Sequence, residues 1–147
     1  MKKRHKIFVV FLFVIYIVAL VYVLFLAESF GRTWSEREYS YNFTPFETIR
    51  LFWRSRHILP FKDVFLNLAG NVIAFMPFGL FFPMLMKGKK KNFFFVLLCG
   101  FLLTCSVEVI QLITRTGCCD VDDVILNTAG VIIGYIVYAV IKVRRHT

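Results

Sequence analysis

Carboxylate, amide and guanidinium side chains are concentrated between Thr104 and Gly134, where two strongly apolar segments meet. An ionised side chain at the centre of a membrane helix costs roughly 2.5–3.5 kcal/mol on insertion scales, so a chain that keeps several together is expected to use them. Two amides in an earlier apolar segment extend the set. The candidate ligand-binding residues are Asn67, Asn71, Glu108, Gln111, Arg115, Asp120, Asp122, Asp123 and Asn127.

Two kinds of chemistry suit these residue types. Clustered carboxylates with amide oxygens could hold a hard divalent cation, Mg²⁺ or Ca²⁺, which could polarise a lipid phosphate or activate water. Alternatively, a buried Glu108 could act as a general base or couple to proton movement. The catalytic candidates are Glu108, Asp122 and Asp123, and the metal-ligand candidates are Asp120, Asp122, Asp123 and Glu108. No Ser–His or Cys–His pairing accompanies them, which weakens an enzymatic interpretation.

Structural roles compete with these functions. Asn and Gln side chains between membrane helices hold bundles together at about 0.6 kcal/mol per interaction. Asp120 or Asp122 could cap the N-terminus of the last helix, where acids are favoured. Capping needs one aspartate, however, and not three beside a buried glutamate. Gly130 and Gly134, four residues apart, predict close helix packing.

Composition predicts a membrane protein. The chain has 147 residues, of which 59% are hydrophobic and 18% aromatic. Four long apolar runs account for most of it, and each is long enough to cross a bilayer as a helix. We therefore predict an all-α, polytopic membrane helix bundle, a single transmembrane domain over residues 1–147. Its spans are expected at about 7–27, 64–86, 93–114 and 124–141.

Positive charge predicts the orientation. The net charge of +9 lies largely beside the apolar runs. These flanking cations are Lys2, Lys3, Arg4, Lys6, Lys87, Lys89, Lys90, Lys91, Lys142, Arg144 and Arg145. Under the positive-inside rule both termini and the lysine-rich loop are cytoplasmic. No base-reading motif accompanies the charge, so a nucleic-acid partner is not expected.

The loop between the first two spans, residues 28–63, carries nearly balanced charge, which fits the translocated side. Within it Pro45 precedes Phe46, Ile49 and Trp53, spaced i, i+3, i+7. This pattern predicts a short amphipathic helix in the outer membrane interface, with a tryptophan at headgroup level. A solvated loop helix is the alternative.

With this topology, the polar residues of the second, third and fourth spans all lie near the outer leaflet. Thr104, Glu108, Gln111 and Arg115 fall at i, i+4, i+7 and i+11, a single stripe on the third span. Glu108 should lie about 10 Å below the surface at 1.5 Å per residue. Arg115 is expected to pair with it, directly or through water. The sequence thus predicts a polar cavity that opens toward the outer leaflet.

Four cysteines do not form a disulfide framework here. Cys99 and Cys105 lie within an apolar run, where cysteine is usually a small buried hydrophobe. Cys118 and Cys119 are adjacent on the predicted outer side, with no histidine at zinc-ligand spacing. A lipidation or redox role is the alternative for this pair.

The chain resembles the VanZ-like family of bacterial membrane proteins over about residues 42–138. The resemblance begins at Asn42-Phe43-Thr44-Pro45-Phe46-Glu47-Thr48-Ile49, continues through Asn67-Leu68-Ala69-Gly70-Asn71 and Pro77-Phe78-Gly79, and is strongest at Ser106-Val107-Glu108-Val109-Ile110-Gln111. It closes with Arg115, Asp120-Val121-Asp122-Asp123, Asn127, Gly130 and Gly134. Cys118 and Cys119 lie outside the pattern.

This resemblance implies a small multi-pass protein of the bacterial cytoplasmic membrane and points to the same polar residues. Relatives in this family give low-level resistance to teicoplanin, a glycopeptide with a lipophilic tail that acts at the outer leaflet, although resistance need not be the native task of this chain. The expected partner is therefore a membrane lipid or a lipophilic glycopeptide, bound or handled in the cell envelope. The alternative is a membrane-embedded, metal-assisted hydrolase or transferase that acts on a phospholipid or a polyprenyl phosphate.

Overall fold

The computed structural model describes residues 3–26 and 39–144, which are almost entirely helical. The α-helices are α1 (Lys3–Val21), α2 (Glu47–Arg54), α3 (Phe61–Phe65), α4 (Asn71–Leu85), α5 (Phe93–Thr114) and α6 (Val121–Arg144). π-Helical turns follow α1 (Tyr22–Leu26) and join α3 to α4 (Leu66–Gly70), and 3₁₀ turns cover Ser55–His57 and Gly88–Lys91. Two residues each form β1 (Tyr41–Asn42) and β2 (Cys119–Asp120).

Within the described residues, 4 helical segments are long and apolar enough to cross a membrane. They are Arg4–Phe25, Phe61–Leu85, Phe93–Thr114 and Val121–Arg144. This confirms the all-α, polytopic bundle. The last helix, of 24 residues, exceeds the expected span 124–141 at both ends. Its first turn contains the acidic residues Asp122 and Asp123, because an acid is favourable at a helix N-terminus.

Residues from all four long helical segments form the core. Phe75 and Val96 have no exposed surface, and Val131 is only 1% exposed. Leu20 and Leu24 of the first segment pack against this cluster. Most apolar side chains nevertheless point outward. Among the 18 most apolar consecutive residues of each long segment, only 11–28% are buried. Such outward apolar faces are stable where lipid surrounds them.

Helices α4 and α6 pack with their backbones in close contact. A Cβ atom added at Gly134 would lie 2.0 Å from the carbonyl oxygen of Met76, and one added at Gly130 would lie 2.2 Å from that of Val72. Gly79 faces the opposite way, and its added Cβ would lie 2.1 Å from the carbonyl oxygen of Val131. The predicted packing role of Gly130 and Gly134 is thereby confirmed.

Helix α4 contains two prolines, Pro77 and Pro83, within its length. Pro77 has no amide hydrogen, and its ring disturbs the turn that precedes it. The Tyr16 hydroxyl of α1 donates a hydrogen bond to the carbonyl of Ala74, in that same turn, at 3.0 Å. Helix α1 therefore supplies a donor where the proline weakens the helix.

Replacing Gly134 by alanine should destabilise the bundle, because the new methyl group would meet backbone atoms that cannot rotate away. We expect a loss of about 1–3 kcal/mol in the free energy of unfolding, the usual range for overpacking. Reversible unfolding in detergent micelles would measure the loss. The matched control is Gly70→Ala, where the nearest atom lies at 3.8 Å. Equal stability of the two variants would contradict the packing role.

Candidate functional site

Residues 39–60, here called the 39–60 segment, lie against the end of the bundle where α5 ends and α6 begins, here called the polar end. Strands β1 and β2 pair in parallel, with Tyr41 opposite Cys119 and Asn42 opposite Asp120. The Cys119 amide donates to the carbonyl of Ser40 at 3.0 Å. This short ladder places the 39–60 segment beside the acidic residues that start α6.

Asp120 connects the start of α6 with the 39–60 segment. Its Oδ1 accepts the Asp122 amide at 2.9 Å, which makes Asp120 the N-terminal cap of α6. The same oxygen accepts the Asn42 side-chain amide at 3.4 Å. The Thr48 hydroxyl donates to the other carboxylate oxygen, Oδ2. Capping was expected of Asp120 or Asp122, and the structure assigns it to Asp120.

Asp122 caps a different helix, α2. Its side chain is completely buried, and its two oxygens accept the backbone amides of Phe46 and, at 3.0 Å, Ile49. Phe46 is itself the residue before α2, and its own side chain makes no capping bond. A carboxylate from 73 residues farther along the chain therefore takes that role. A negative charge is favourable there because the free amides make a helix N-terminus positive.

The other two acids also contact the ends of neighbouring elements. Glu108 of α5 is only 3% exposed, and its Oε2 accepts the Asp120 backbone amide at 3.0 Å. Asn71 of α4 donates to Asp123 Oδ1 at 2.6 Å. The four predicted carboxylates thus tie α4, α5, α6 and the 39–60 segment together at the polar end.

Two further polar contacts lie in the bundle. The side-chain amide of Asn127 donates to the Thr104 hydroxyl at 2.8 Å, which joins α6 to α5. The Gln111 amide donates to the carbonyl of Leu24 at 3.1 Å, within the π-helical turn after α1. All three side chains, including that of Thr104, are buried. These residues act in helix association.

Arg115 does not form the expected pair with Glu108, and no ion pair joins these two described residues. Arg115 adopts a left-handed conformation (φ 54°) that ends α5, and its amide and that of Thr116 bond back to the last turn. The residue therefore leaves the helical stripe on which the pairing was predicted. Its guanidinium instead lies 4.4 Å from the centre of the exposed Tyr39 ring.

Asn67 does not join the other candidates. It is exposed, and its side-chain amide donates to the carbonyl of Asp63 in its own helical segment at 2.8 Å. Asn67 lies in the π-helical turn between α3 and α4, where the usual four-residue spacing no longer places two side chains on one face. Asn71 alone reaches the acidic cluster.

The metal hypothesis has no coordination site in the described part of the chain. Among those residues no group of three His, Cys, Asp or Glu side chains could hold a metal ion. The carboxylates of Asp120 and Asp122 are directed instead at amide and hydroxyl donors. The alternative of a metal-assisted hydrolase therefore gains no support from this geometry.

Sequence reasoning missed two partners of the acidic cluster, Asn42 and Thr48. Asn42 also donates to the Thr48 hydroxyl at 3.1 Å, and its Oδ1 accepts the Thr44 amide at 2.9 Å. An Asn side chain that accepts the backbone amide two residues farther on forms an Asx turn, and Asn is a common turn residue for this reason. That signal could have located the turn, but not the aspartate that the turn contacts.

Helix α2 forms where it was predicted, but its faces differ from the expectation. Ile49 turns toward the bundle and is partly buried, together with Thr48 and Phe52. Trp53 is 60% exposed and Phe46 is 49% exposed. The predicted apolar face is therefore divided, because Asp122 binds the helix start and fixes its rotation.

Both cysteines of the Cys118-Cys119 pair are free thiols, the first exposed and the second buried. Partial burial raises the pKa of the Cys118 thiol. The hydrogen bond from Ser40 opposes this rise in pKa, whereas the negative charges of Asp120, Asp123 and Glu108 add to it. Burial, followed by the charge of Glu108, likewise raises the pKa of Cys119. A thiol with a raised pKa is a poor nucleophile at neutral pH.

Alkylation of Cys118 should therefore be slow at neutral pH, and its rate should keep rising above the ordinary thiol pKa of about 8.5. The reason is that only the thiolate reacts, and both burial and the neighbouring carboxylates favour the neutral thiol. Iodoacetamide labelling followed by mass spectrometry would measure the profile. Denatured protein is the control and should show the ordinary midpoint. A folded-state midpoint below that of the control would contradict the assignment.

Comparison with known proteins shows to which family the chain belongs. The VanZ/LLP1 family matches residues 13–142. A curated relative, the protein VanZ of Enterococcus faecium, is 38% identical over 89 residues, which are 58% of this chain and 53% of that protein. The chain thus spans about half the length of this relative. No solved structure matches the chain. Because the family match extends over most of the chain, the chain belongs to the VanZ/LLP1 family.

Proposed function

We propose that the 39–60 segment binds a lipophilic or lipid-linked ligand at the outer leaflet of the bacterial cytoplasmic membrane. The consequence in the cell would be low-level teicoplanin resistance, as the VanZ-like resemblance implies. One observation carries this proposal: the buried carboxylate of Asp122 holds a short helix that keeps large apolar side chains exposed. A fixed apolar surface at a membrane interface suits a ligand with an acyl tail.

Exposed apolar side chains in and next to the 39–60 segment, most of them aromatic, support the proposal. Tyr41 and Phe43 stack with their ring centres 5.4 Å apart, although each is more than 60% exposed. Trp53 is 60% exposed, Ile58 between α2 and α3 is 87% exposed, and Phe61 at the start of α3 is 79% exposed. Aromatic side chains are enriched at membrane interfaces, where the ring is in the apolar region and the polar atom meets water.

Charge placement supports the orientation. The start of α1, the loop between α4 and α5, and the end of α6 lie at the same end of an antiparallel bundle. Each carries lysine or arginine, including Arg4, Lys87 and Lys142. The positive-inside rule assigns that end to the cytoplasm. The polar end, with the 39–60 segment, would then face the outer leaflet, where glycopeptides act.

Expression of the chain in a sensitive Gram-positive host should raise the inhibitory concentration of teicoplanin above that of the empty vector. Vancomycin, which lacks the acyl tail, should be affected less. Trp53→Ala should lower teicoplanin protection, because it removes exposed apolar surface next to the ligand. Susceptibility testing at matched membrane levels would measure both effects.

Phe94→Ala is the matched control, since Phe94 is 78% exposed at the start of α5, at the end of the bundle away from the polar end. It should protect as well as wild type. Equal loss in the two variants would contradict a ligand surface on the 39–60 segment. Absence of protection by the wild type would contradict the proposed cellular role.

A further inference from the structure

We propose that Arg50 and Arg54 of α2, together with Arg56 in the turn that follows, bind the phosphate group of an anionic lipid in the outer leaflet. The inference rests on the proposed function and names the chemistry of its ligand, a phosphate diester with apolar tails. The buried acidic cluster does not contact this ligand directly. Its role is to hold α2 in place, so that the arginines are presented outward.

Arg50 and Arg54 lie four residues apart on the face of α2 that points away from the bundle. Both are exposed, whereas Thr48 and Phe52 on the other side of the helix are partly buried. Within the described part of the chain, neither guanidinium makes an ion pair or a side-chain hydrogen bond. Glu47, three residues before Arg50, is within reach of it by spacing but is not paired with it. Two adjacent cations are therefore available to an anion.

Arg56 is held in position by a tryptophan. Its guanidinium carbon lies 4.7 Å from the centre of the Trp53 ring, and its Nη1 donates to the Trp53 carbonyl at 2.6 Å. A guanidinium has five N–H donors, so about four remain for a ligand. The stacked geometry reduces the conformational entropy that a ligand must remove from this side chain.

The local charge supports an anionic ligand. The loop of residues 28–63 is nearly balanced in charge as a whole, but its cations are concentrated in its second half. Residues 47–63 contain four cations (Arg50, Arg54, Arg56 and Lys62) and two carboxylates (Glu47 and Asp63), a difference of +2 with His57 neutral. Positive charge in short loops is disfavoured on the translocated side of a membrane. Binding of an anion would explain why positive charge is kept in this translocated loop. Arginine in particular matches phosphate through paired N–H donors.

Apolar surface beside the arginines points to a lipid rather than a soluble anion. Phe46, Leu51 and Trp53 of the same short region are 49%, 59% and 60% exposed. A basic helix with exposed apolar residues is the usual form of a segment that lies in the membrane interface. The phosphate would meet the guanidinium groups while the acyl chains contact these side chains.

Quenching of Trp53 fluorescence by brominated lipids tests the proposal in the full-length protein. The chain has 2 tryptophans, so Trp34→Phe leaves Trp53 as the only one. Brominated phosphatidylglycerol should quench Trp53 at lower mole fraction than brominated phosphatidylcholine in detergent micelles. Arg54→Gln should reduce this selectivity about fivefold, since a basic residue near an anionic surface contributes about that factor. Arg50→Gln should act similarly.

Lys62→Gln is the matched control, because it removes one exposed cation from α3 rather than from α2. It should preserve most of the selectivity. Equal losses for Lys62→Gln and Arg54→Gln would show diffuse attraction and overturn the site. Displacement of the brominated lipid by inorganic phosphate alone would identify a free anion as the ligand and overturn the lipid assignment.

The outcome is separable from that of the resistance test. Phosphatidylglycerol selectivity that depends on Arg54, without any teicoplanin protection, would support the lipid site and refute the cellular role. Protection without selectivity would refute the phosphate site and leave the apolar surface as the ligand contact.

Discussion

A carboxylate buried at the end of a membrane bundle must be supplied with hydrogen-bond donors, because an unpaired charge in an apolar surrounding is strongly unfavourable. In this chain the 39–60 segment supplies four such donors to Asp120 and Asp122. Asp122 accepts hydrogen bonds from two backbone amides at the start of α2. Asp120 accepts hydrogen bonds from the side-chain amide of Asn42 and the hydroxyl of Thr48. The acids and the segment therefore depend on one another.

Close packing of α4 on α6 brings these acids into reach. Gly130 and Gly134 allow the two helix backbones to touch. As a result, Asp123, at the start of α6, meets Asn71, at the start of α4, at 2.6 Å. The glycines of α6 therefore help to place Asp123 beside Asn71, in the same acidic cluster that holds α2.

Periodicity and composition predicted the bundle well, because crossing a membrane imposes long apolar helices. Helix α5, for instance, begins and ends at the residues expected for the third span. The four acidic residues, which carry much of the family resemblance, lie together at the polar end. Whether they or their neighbours bind a ligand stays a prediction.

What sequence could not provide was the partner of each acid. The pairing of Glu108 with Arg115 was inferred from a continuous helical stripe, and the left-handed conformation of Arg115 interrupts that stripe. The same assumption of regular spacing failed at Asn67, in a π-helical turn. The contacts of Asp120 with Thr48 and of Asp122 with Ile49 join residues more than 70 positions apart in the sequence. No local sequence pattern predicts a contact at such a separation.

Hydrogen exchange of the Ile49 amide tests most directly whether Asp122 holds the 39–60 segment in place. Asp122→Asn should accelerate its exchange roughly tenfold or more, because a hydrogen bond to a charged group contributes about 1.5–3 kcal/mol. Asp123→Asn, which alters the neighbouring contact with Asn71, should leave that amide nearly as protected as in the wild type. Unchanged exchange in Asp122→Asn, or equal acceleration in both variants, would contradict the role of Asp122 as the residue that anchors α2.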